Sequence, residues 1–393
     1  MSIQQNFPAI SPSLNLNFAR SKTLDPRITF SRTSTATRVN EQGLVEVVSA
    51  DIPRFDHEYD ASTGVIKSLG LLVEESSSNL ITYSEDFTQS IWDAPVTGRS
   101  RATRVTSTGI DDPSGGTTAA TYKNGGTAAD ELIWRAEGGT ANVPYTMSVW
   151  IRRRTGTGQI NLVVGDNIAV EVTNQVTTEW KRISVTATPT QTTIRAYILI
   201  LGINDEIDIW GYQLEQKAFP TSYIPTSGGT ATRNPDTVTM TGDNFSDWYN
   251  QSEGTLFTRY KTIGDKSNQM VAQIRSTDGN NRVEIRAQGS SSSQFRVEVI
   301  DEGATQQQEF TIIPSGYTIN NYHKITLGYK ENDFASTING TLYTDDSGTV
   351  GSCDYMTIGA ANYGLNGDLN GYISQLTYYP RRLTNTQLQN LTK

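Results

Sequence analysis

The chain has 393 residues, a net charge of −9, and two histidines beside a single cysteine, Cys353. The acidic balance excludes the basic stripe of a nucleic-acid binder. One thiol excludes an intrachain disulfide, and with His57 and His323 it leaves no zinc ligand set. No apolar run approaches the roughly 20 residues of a membrane helix, so no membrane insertion is expected. The start, MSIQQNFPAISPSLNLNFARS, lacks a basic stretch followed by an apolar one; no signal peptide is expected, and synthesis in the cytoplasm is.

Short apolar runs cut by Gly, Asn, Asp and Ser predict an all-β chain: an extended N-terminal arm, two β-sandwich (jelly-roll) modules and a short C-terminal helix. Residues 1–79 hold no long periodic segment. Ile28–Val48 is predicted as two short strands around a turn at Asn40–Gly43. This segment carries too little apolar sequence to fold by itself, so it is expected as an arm packed on a neighbouring subunit or a larger assembly. A leader packed on its own chain is the alternative.

Residues 80–226 are predicted as the first module. Along Tyr145–Arg154, Tyr145, Met147, Val149 and Ile151 share one face, and Thr146, Ser148, Trp150 and Arg152 share the other. Further strands follow, closing with EIDIWGYQLE at Glu206–Glu215. The Pro/Gly/Ser/Thr-rich stretch Thr221–Met240 is predicted as a semi-rigid linker, with the linker proper at 227–240. Residues 241–393 are predicted as the second module, with an Asn339-Gly340 hairpin turn. Its last strand, Gly371–Pro380, alternates Tyr372, Ser374 and Leu376 against Ile373, Gln375 and Thr377. Pro380 ends it. Thr384 is then the expected N-cap of a helix whose Leu388 and Leu391 lie against the sheet.

Chemistry is sparse. Glu206 and Asp208 on one face of a strand suggest the carboxylate pair of a glycosidase, which needs two carboxyl groups about 5–5.5 Å apart for retaining hydrolysis. The third carboxylate of the concanavalin-type motif is missing, since Trp210 and Gly211 follow. No nucleophile elbow, phosphate loop or dinucleotide fingerprint appears. No catalytic residue, resident metal or cofactor is therefore assigned, and the chain is read as a non-enzyme. Calcium stays open through Asp345-Asp346, Asp111-Asp112 and the acidic cluster around His57, although it needs six to eight oxygen ligands.

Sugars bind through C–H faces stacked on rings and hydroxyls met by directed polar groups. The candidates are Tyr363 with Asn362 and Asn366 in the loop GAANYGLNGD, and Trp150 with Arg152, which Tyr197 and Trp210 could join from other strands. The triple Arg152-Arg153-Arg154 is read as a solvated strand end.

Three stretches carry a family resemblance. TFSRTSTATRVNEQGLVEVV with GLLVEESSSNLITYSEDF resembles the leader of tailed-bacteriophage virion proteins of the head-fibre and tail-fibre type. IDIWGYQLEQKAFPTSYIPTSGGTATRNPD resembles the closing strand and linker of the carbohydrate-binding-type jelly roll in those proteins. EGTLFTRYK, HKITLGYKENDFASTINGTLY and LNGYISQLTYYPRRLTNTQLQNL resemble a laminin-G-like, concanavalin-A-like sandwich. The resemblance implies a virion component, homotrimeric, joined to other virion proteins through its arm and touching host surface glycans. The alternatives are a polysaccharide depolymerase acting on host capsule and a pure capsid decoration that binds no glycan. Head or tail placement is not implied.

Overall fold

The computed structural model describes the chain apart from residues 1–7, 9, 61, 94–99, 107–108, 127–130, 166–167, 267, 289–293, 302–304, 313–318 and 361–366. It is all-β, with antiparallel sheets and a short C-terminal helix. The chain forms two compact units: residues 1–33, 49–75 and 235–393 in one, residues 34–48 and 76–234 in the other.

The first unit has an eight-stranded and a seven-stranded sheet. Its core runs from Leu14, Phe55 and Leu71 to Ile285, Leu327 and Tyr378. Each such side chain, when fully buried, contributes about 1.5–3 kcal/mol relative to exposure. The leader is not an extended arm. Leu14–Leu16 pairs with Leu376–Tyr378. The hairpin Arg54–Asp60/Val65–Val73 joins the same strand at Gly371–Ile373. Thr29–Ser31 pairs with Thr237–Thr239. Each leader segment thus buries its apolar face on sequence two to four hundred residues away, roughly counted, and a local reading of amphipathic period cannot see such a partner.

The last strand, Gly371–Tyr379, sits as expected beside the opening strand Glu253–Thr262. Its alternation differs from the expected one. Arg259 opposes Gln375 and Tyr260 opposes Ile373, which leaves Ser374 as the extra residue of a β-bulge. The bulge shifts the phase, so Ile373 and Leu376 both enter the core while Tyr372 packs with Leu69 and Leu72 on another face. Gly70 makes room for it. A Cβ there would lie 2.4 Å from the Ile373 carbonyl oxygen, at φ +99°.

A buried ion network lies beside the places where the chain leaves and re-enters this unit. Arg32 Nη1 meets Asp236 Oδ1 at 3.0 Å, and Arg54 Nη1 meets Glu74 Oε2 at 2.8 Å. The Glu74 N–H donates to Asp236 Oδ2 at 3.0 Å, and Arg32 Nη2 donates to the Ser49 carbonyl at 2.8 Å. Burial alone would push the Arg54 guanidinium down, but Asp236 and Glu74 outweigh it and hold it above its ordinary value.

The helix Asn385–Thr392 ends this unit with the expected cap. Thr384 Oγ1 accepts from the Gln387 N–H, and the Gln387 side chain accepts from the Thr384 N–H, a reciprocal capping box. Leu388 packs with Ala335, Tyr379 and Leu383, and Leu391 lies against that cluster.

The second unit is a sandwich of two five-stranded sheets. The front sheet runs in the order Lys181–Ala187, Tyr145–Thr155, Glu206–Glu215, Ala120–Lys123, Thr103–Thr106; the back sheet in the order Ile168–Glu171, Ile160–Val164, Thr193–Ile200, Glu131–Gly138, Ser100–Arg101. The core between them takes Tyr145, Met147, Val149 and Ile151 as the alternation predicts, with Ile194, Ala196, Ile198 and Ile200 from the back sheet. Two short ribbons, Ala36–Val39 with Val45–Val48 and Ser77–Asn79 with Ala231–Arg233, complete the unit.

Candidate functional site

The outer face of the front sheet carries an aromatic and arginine cluster. Arg182, Trp150 and Trp210 are cross-strand neighbours on three adjacent strands. Opposite residues share a face, so the three side chains stand in one row. The Trp150 and Trp210 rings lie 5.2 Å apart at 66°, and Tyr223 closes the group at 5.4 Å from Trp150 and 5.0 Å from Trp210. The Arg182 guanidinium lies 4.8 Å over Trp150. A bulge at Gly211 permits this packing. Gly211 has φ +63°, and a Cβ there would lie 2.8 Å from the Trp150 ring.

One row along, Asp208 is fully buried and accepts from Thr121 Oγ1 at 2.6 Å and from Arg152 Nε at 2.8 Å. Arg154 Nη1 reaches both Asp208 oxygens at 3.4 Å. Trp180 completes the edge: its indole N–H donates to the Asp111 carbonyl at 3.1 Å, and Arg152 lies 4.6 Å over its ring. Among the tryptophans whose side chains are described, Trp150 and Trp180 keep part of their surface in solvent, whereas Trp92, Trp210 and Trp248 are buried.

Asp208 is therefore the anchor of two guanidinium groups. The expected carboxylate pair is not assembled as one, because Glu206 turns to Lys123 at 3.9 Å. Trp210 meets the Trp150 ring but is itself buried, and Tyr197 does not join them. Tyr197 packs with Val163 and Leu199 on the outer face of the back sheet, while Trp150 is on the outer face of the front sheet. Alternation says that a side chain points out of a sandwich, and it does not say from which sheet. Asn362, Tyr363 and Asn366 lie outside the described residues.

The stretch expected as a linker is built into the fold through Thr226. Gln213 Oε1 accepts from the Ile224 N–H at 2.7 Å, and Glu215 Oε2 from the Thr221 N–H at 3.0 Å. Asn79 Nδ2 donates to the Tyr212 and Ile224 carbonyls. The Tyr223 hydroxyl donates to Glu85 Oε1 at 2.9 Å. Burial raises the Glu85 carboxyl above the ordinary range despite that bond. Beyond it, Thr237–Thr241 is a strand of the first unit's seven-stranded sheet.

The acidic pairs have ordinary duties. Asp112 accepts from the N–H groups of Ser114, Gly116 and Thr118 and from the hydroxyls of Ser114 and Thr118. Asp345 Oδ1 accepts from the Ser347 N–H and hydroxyl. Around His57, Asp56 takes the Tyr372 hydroxyl, Glu58 takes Lys261, and Asp60 takes Lys67 and Ser62. Among the described residues, no group of three or more His, Cys, Asp or Glu stands where it could hold a metal ion.

A second polar cluster was not anticipated. On one sheet of the first unit, Gln273, Glu284 and Glu298 stand opposite one another on three adjacent strands. Val283, Ile285, Val297 and Val299 fill the core, so Glu284 and Glu298 belong to the other face, yet both are buried. Glu284 and Glu298 hydrogen-bond to each other. Gln273 Nε2 donates to Glu284 at 2.6 Å, Arg286 Nη2 pairs with Glu284 at 2.7 Å, and Arg296 pairs with Glu298. Burial and the neighbouring Glu284 push the Glu298 carboxyl up to about 8. Burial would also raise Glu284, but the bond from Glu298 and the charge of Arg286 hold it below its ordinary value. Carboxyl groups in direct hydrogen bond are closer than the about 5–5.5 Å of a retaining glycosidase. The signal lay in the sequence as NRVEIRAQG and QFRVEVIDEG, two strands with Glu and Arg on one face, but only register shows that the carboxylates coincide.

No protein-family model matches this chain, and no curated protein sequence matches it. Solved structures similar to it are carbohydrate-binding jelly-roll and β-sandwich domains or proteins that contain them. The Ruminococcus gnavus IT-sialidase CBM40 matches at 16% identity and TM-score 0.31, over 37% of this chain and 84% of that one. Domain 4 of AbnA, a GH43 extracellular arabinanase from Geobacillus stearothermophilus, solved with arabinotriose, matches at 14% identity and TM-score 0.31, over 44% and 82%. The NanB sialidase of Streptococcus pneumoniae matches at 15% identity and TM-score 0.34, over 39% of this chain and 26% of that one. At these scores the likeness carries no functional inference. No helix among the described residues is long and apolar enough to cross a membrane.

Proposed function

We propose that this chain is a structural, non-enzymatic component of a phage virion, homotrimeric, that holds host surface glycans through its β-sandwich units. The supporting observation is the front-sheet cluster: Trp150 and Trp180 offer partly exposed rings beside Arg152 and Arg154, the combination that meets both the C–H face and the polar groups of a sugar. The leader and TSYIPT motifs, which resemble head-fibre and tail-fibre proteins, support the virion setting.

Contact with other virion proteins falls to the leader. In the first unit it exposes Ile52, Tyr59 and Val65, three large apolar side chains that are 47–66% exposed. Repetition of copies on a particle would turn weak single contacts into avidity.

A glycan array probed with the full chain, together with electron microscopy locating it on intact particles, tests the reading. Retention on at least one host-type glycan and density on the particle are expected. No retained glycan, with unchanged adsorption of particles that lack the protein, would favour a pure decoration. Release of reducing sugar from host capsule would overturn the non-enzymatic reading.

A further inference from the structure

Arg154 occupies a bulge. Arg153 opposes Ile207 and Thr155 opposes Glu206, which leaves Arg154 as the extra residue on its strand. A bulged residue is freed from the ladder. Arg154 lies two residues beyond Arg152, so alternation puts it on the same face, where it reaches Asp208, while Arg153 meets Asp205 at 2.9 Å.

Two guanidinium groups thus share one carboxylate, and they share it unequally. Arg152 holds Asp208 at 2.8 Å, whereas Arg154 stands at 3.4 Å, beyond the 2.7–2.9 Å usual for a charge-assisted bond. Asp208 is fully buried and the Arg154 side chain is 40% exposed. Among the described residues the contacts of Arg154 run through Nη1 alone, out of five N–H donors. The face therefore carries a surplus positive charge, with open donors, in a chain whose net charge is −9. Beside it, Trp180 is fixed by its bond to Asp111 and by Arg152 on its ring.

We propose that Arg154, Arg152 and Trp180 form a subsite for a carboxylated sugar residue of an acidic glycan. The planar fork of a guanidinium matches a carboxylate in two parallel bonds, and an indole ring takes the C–H face of the same sugar. The inference rests on the glycan-adhesion reading and narrows its ligand from glycans in general to anionic ones.

Titration calorimetry of the full chain with an oligogalacturonate, its carboxyl-reduced neutral counterpart and a sulfated oligosaccharide tests it. The oligogalacturonate is expected to bind about tenfold more tightly than the reduced form, and more weakly as salt rises. Arg154→Gln should remove that difference, Arg154→Lys should keep part of it, and Trp180→Ala should weaken both ligands. Unchanged thermal melts would show that the variants fold. Equal affinity for the acidic and reduced forms, preference for the sulfated sugar over the carboxylated one, or full binding by Arg154→Gln would each overturn the subsite and leave the adhesion reading standing. A chain that binds none of these, nor any member of a wide glycan array, would overturn both.

Discussion

Arg54 and Asp236, 182 residues apart in sequence, form an ion pair of 2.5 Å with both side chains fully buried. Asp236 also takes Arg32, so one carboxylate bridges guanidinium groups from two leader segments, with Glu74 supplying the second negative charge. Removing a partner from a buried pair typically costs about 3–5 kcal/mol, because the remaining charge has no solvent to turn to. Asp236→Asn is expected to destabilise the first unit by that order. Urea unfolding followed by the fluorescence of buried Trp248 would measure it, and a loss below about 1 kcal/mol would show that the network is not held as described.

Glu298 sets a pH dependence. It keeps its proton to about pH 8 in the folded chain, against 4.5 for an ordinary glutamate. Between those values the folded state binds more protons than the unfolded state, so this contribution to stability is full below about pH 4.5 and is lost as pH rises through 8. Glu298→Gln retains a donor toward Glu284 and has no proton to lose. Its stability relative to the parent is expected to rise from pH 5 to pH 8, by roughly 2–4 kcal/mol. Parallel denaturation curves for parent and variant over that range would refute the raised Glu298 carboxyl.

Gly70 and Gly64 offer a matched comparison on one hairpin. Both have positive φ, +99° and +71°, but only Gly70 would drive a Cβ into backbone, while Gly64 has nothing within 4 Å. Gly64→Ala should cost about 1–2 kcal/mol, from backbone conformation alone. Gly70→Ala should cost clearly more, because Gly371–Tyr379 must move or the Ser374 bulge must be lost. Similar thermal shifts for the two variants would count against the close approach.

Thr384→Ala removes one half of the capping box. About 1 kcal/mol of stability should go with it, visible as a small drop in melting temperature and earlier fraying of the C-terminal helix in hydrogen exchange. Retained protection of Gln387 would mean that the cap contributes little.

Short-range features were legible in the sequence. Thr384 was readable as a cap because its partner lies three residues on, and Tyr145–Ile151 was readable because period 2 needs no distant knowledge. The phase of Gly371–Tyr379 was not, since a bulge is set by what the neighbouring strands demand. For the leader the sequence left two placements open, and only the pairing of Leu14 with Tyr378 selects packing on its own chain. Thr221–Thr226 belongs to the module that the sequence bounds at 226, but linker composition does not reveal the Asn79, Gln213 and Glu215 side chains that hold it. At the site, Trp150 and Arg152 fall on one face as the alternation predicts, and Arg154, at the end of its strand, is 40% exposed as a strand end should be. That it also reaches the buried Asp208 depends on strand register, which three consecutive arginines do not announce.

The pairing of the leader with the last strand imposes an order of events during synthesis. Asn15 and Thr377, joined side chain to side chain, are separated by 362 residues. At about 5–20 residues per second, roughly 20–70 s pass between the ribosome making one and making the other. The second unit, residues 34–48 and 76–234, has all of its strands in hand long before that. The early strands of the first unit wait with open edges for the whole interval. A chain that stalls or is cut short after the second unit would expose those edges to other nascent copies, so the step most prone to misassembly is the last one made.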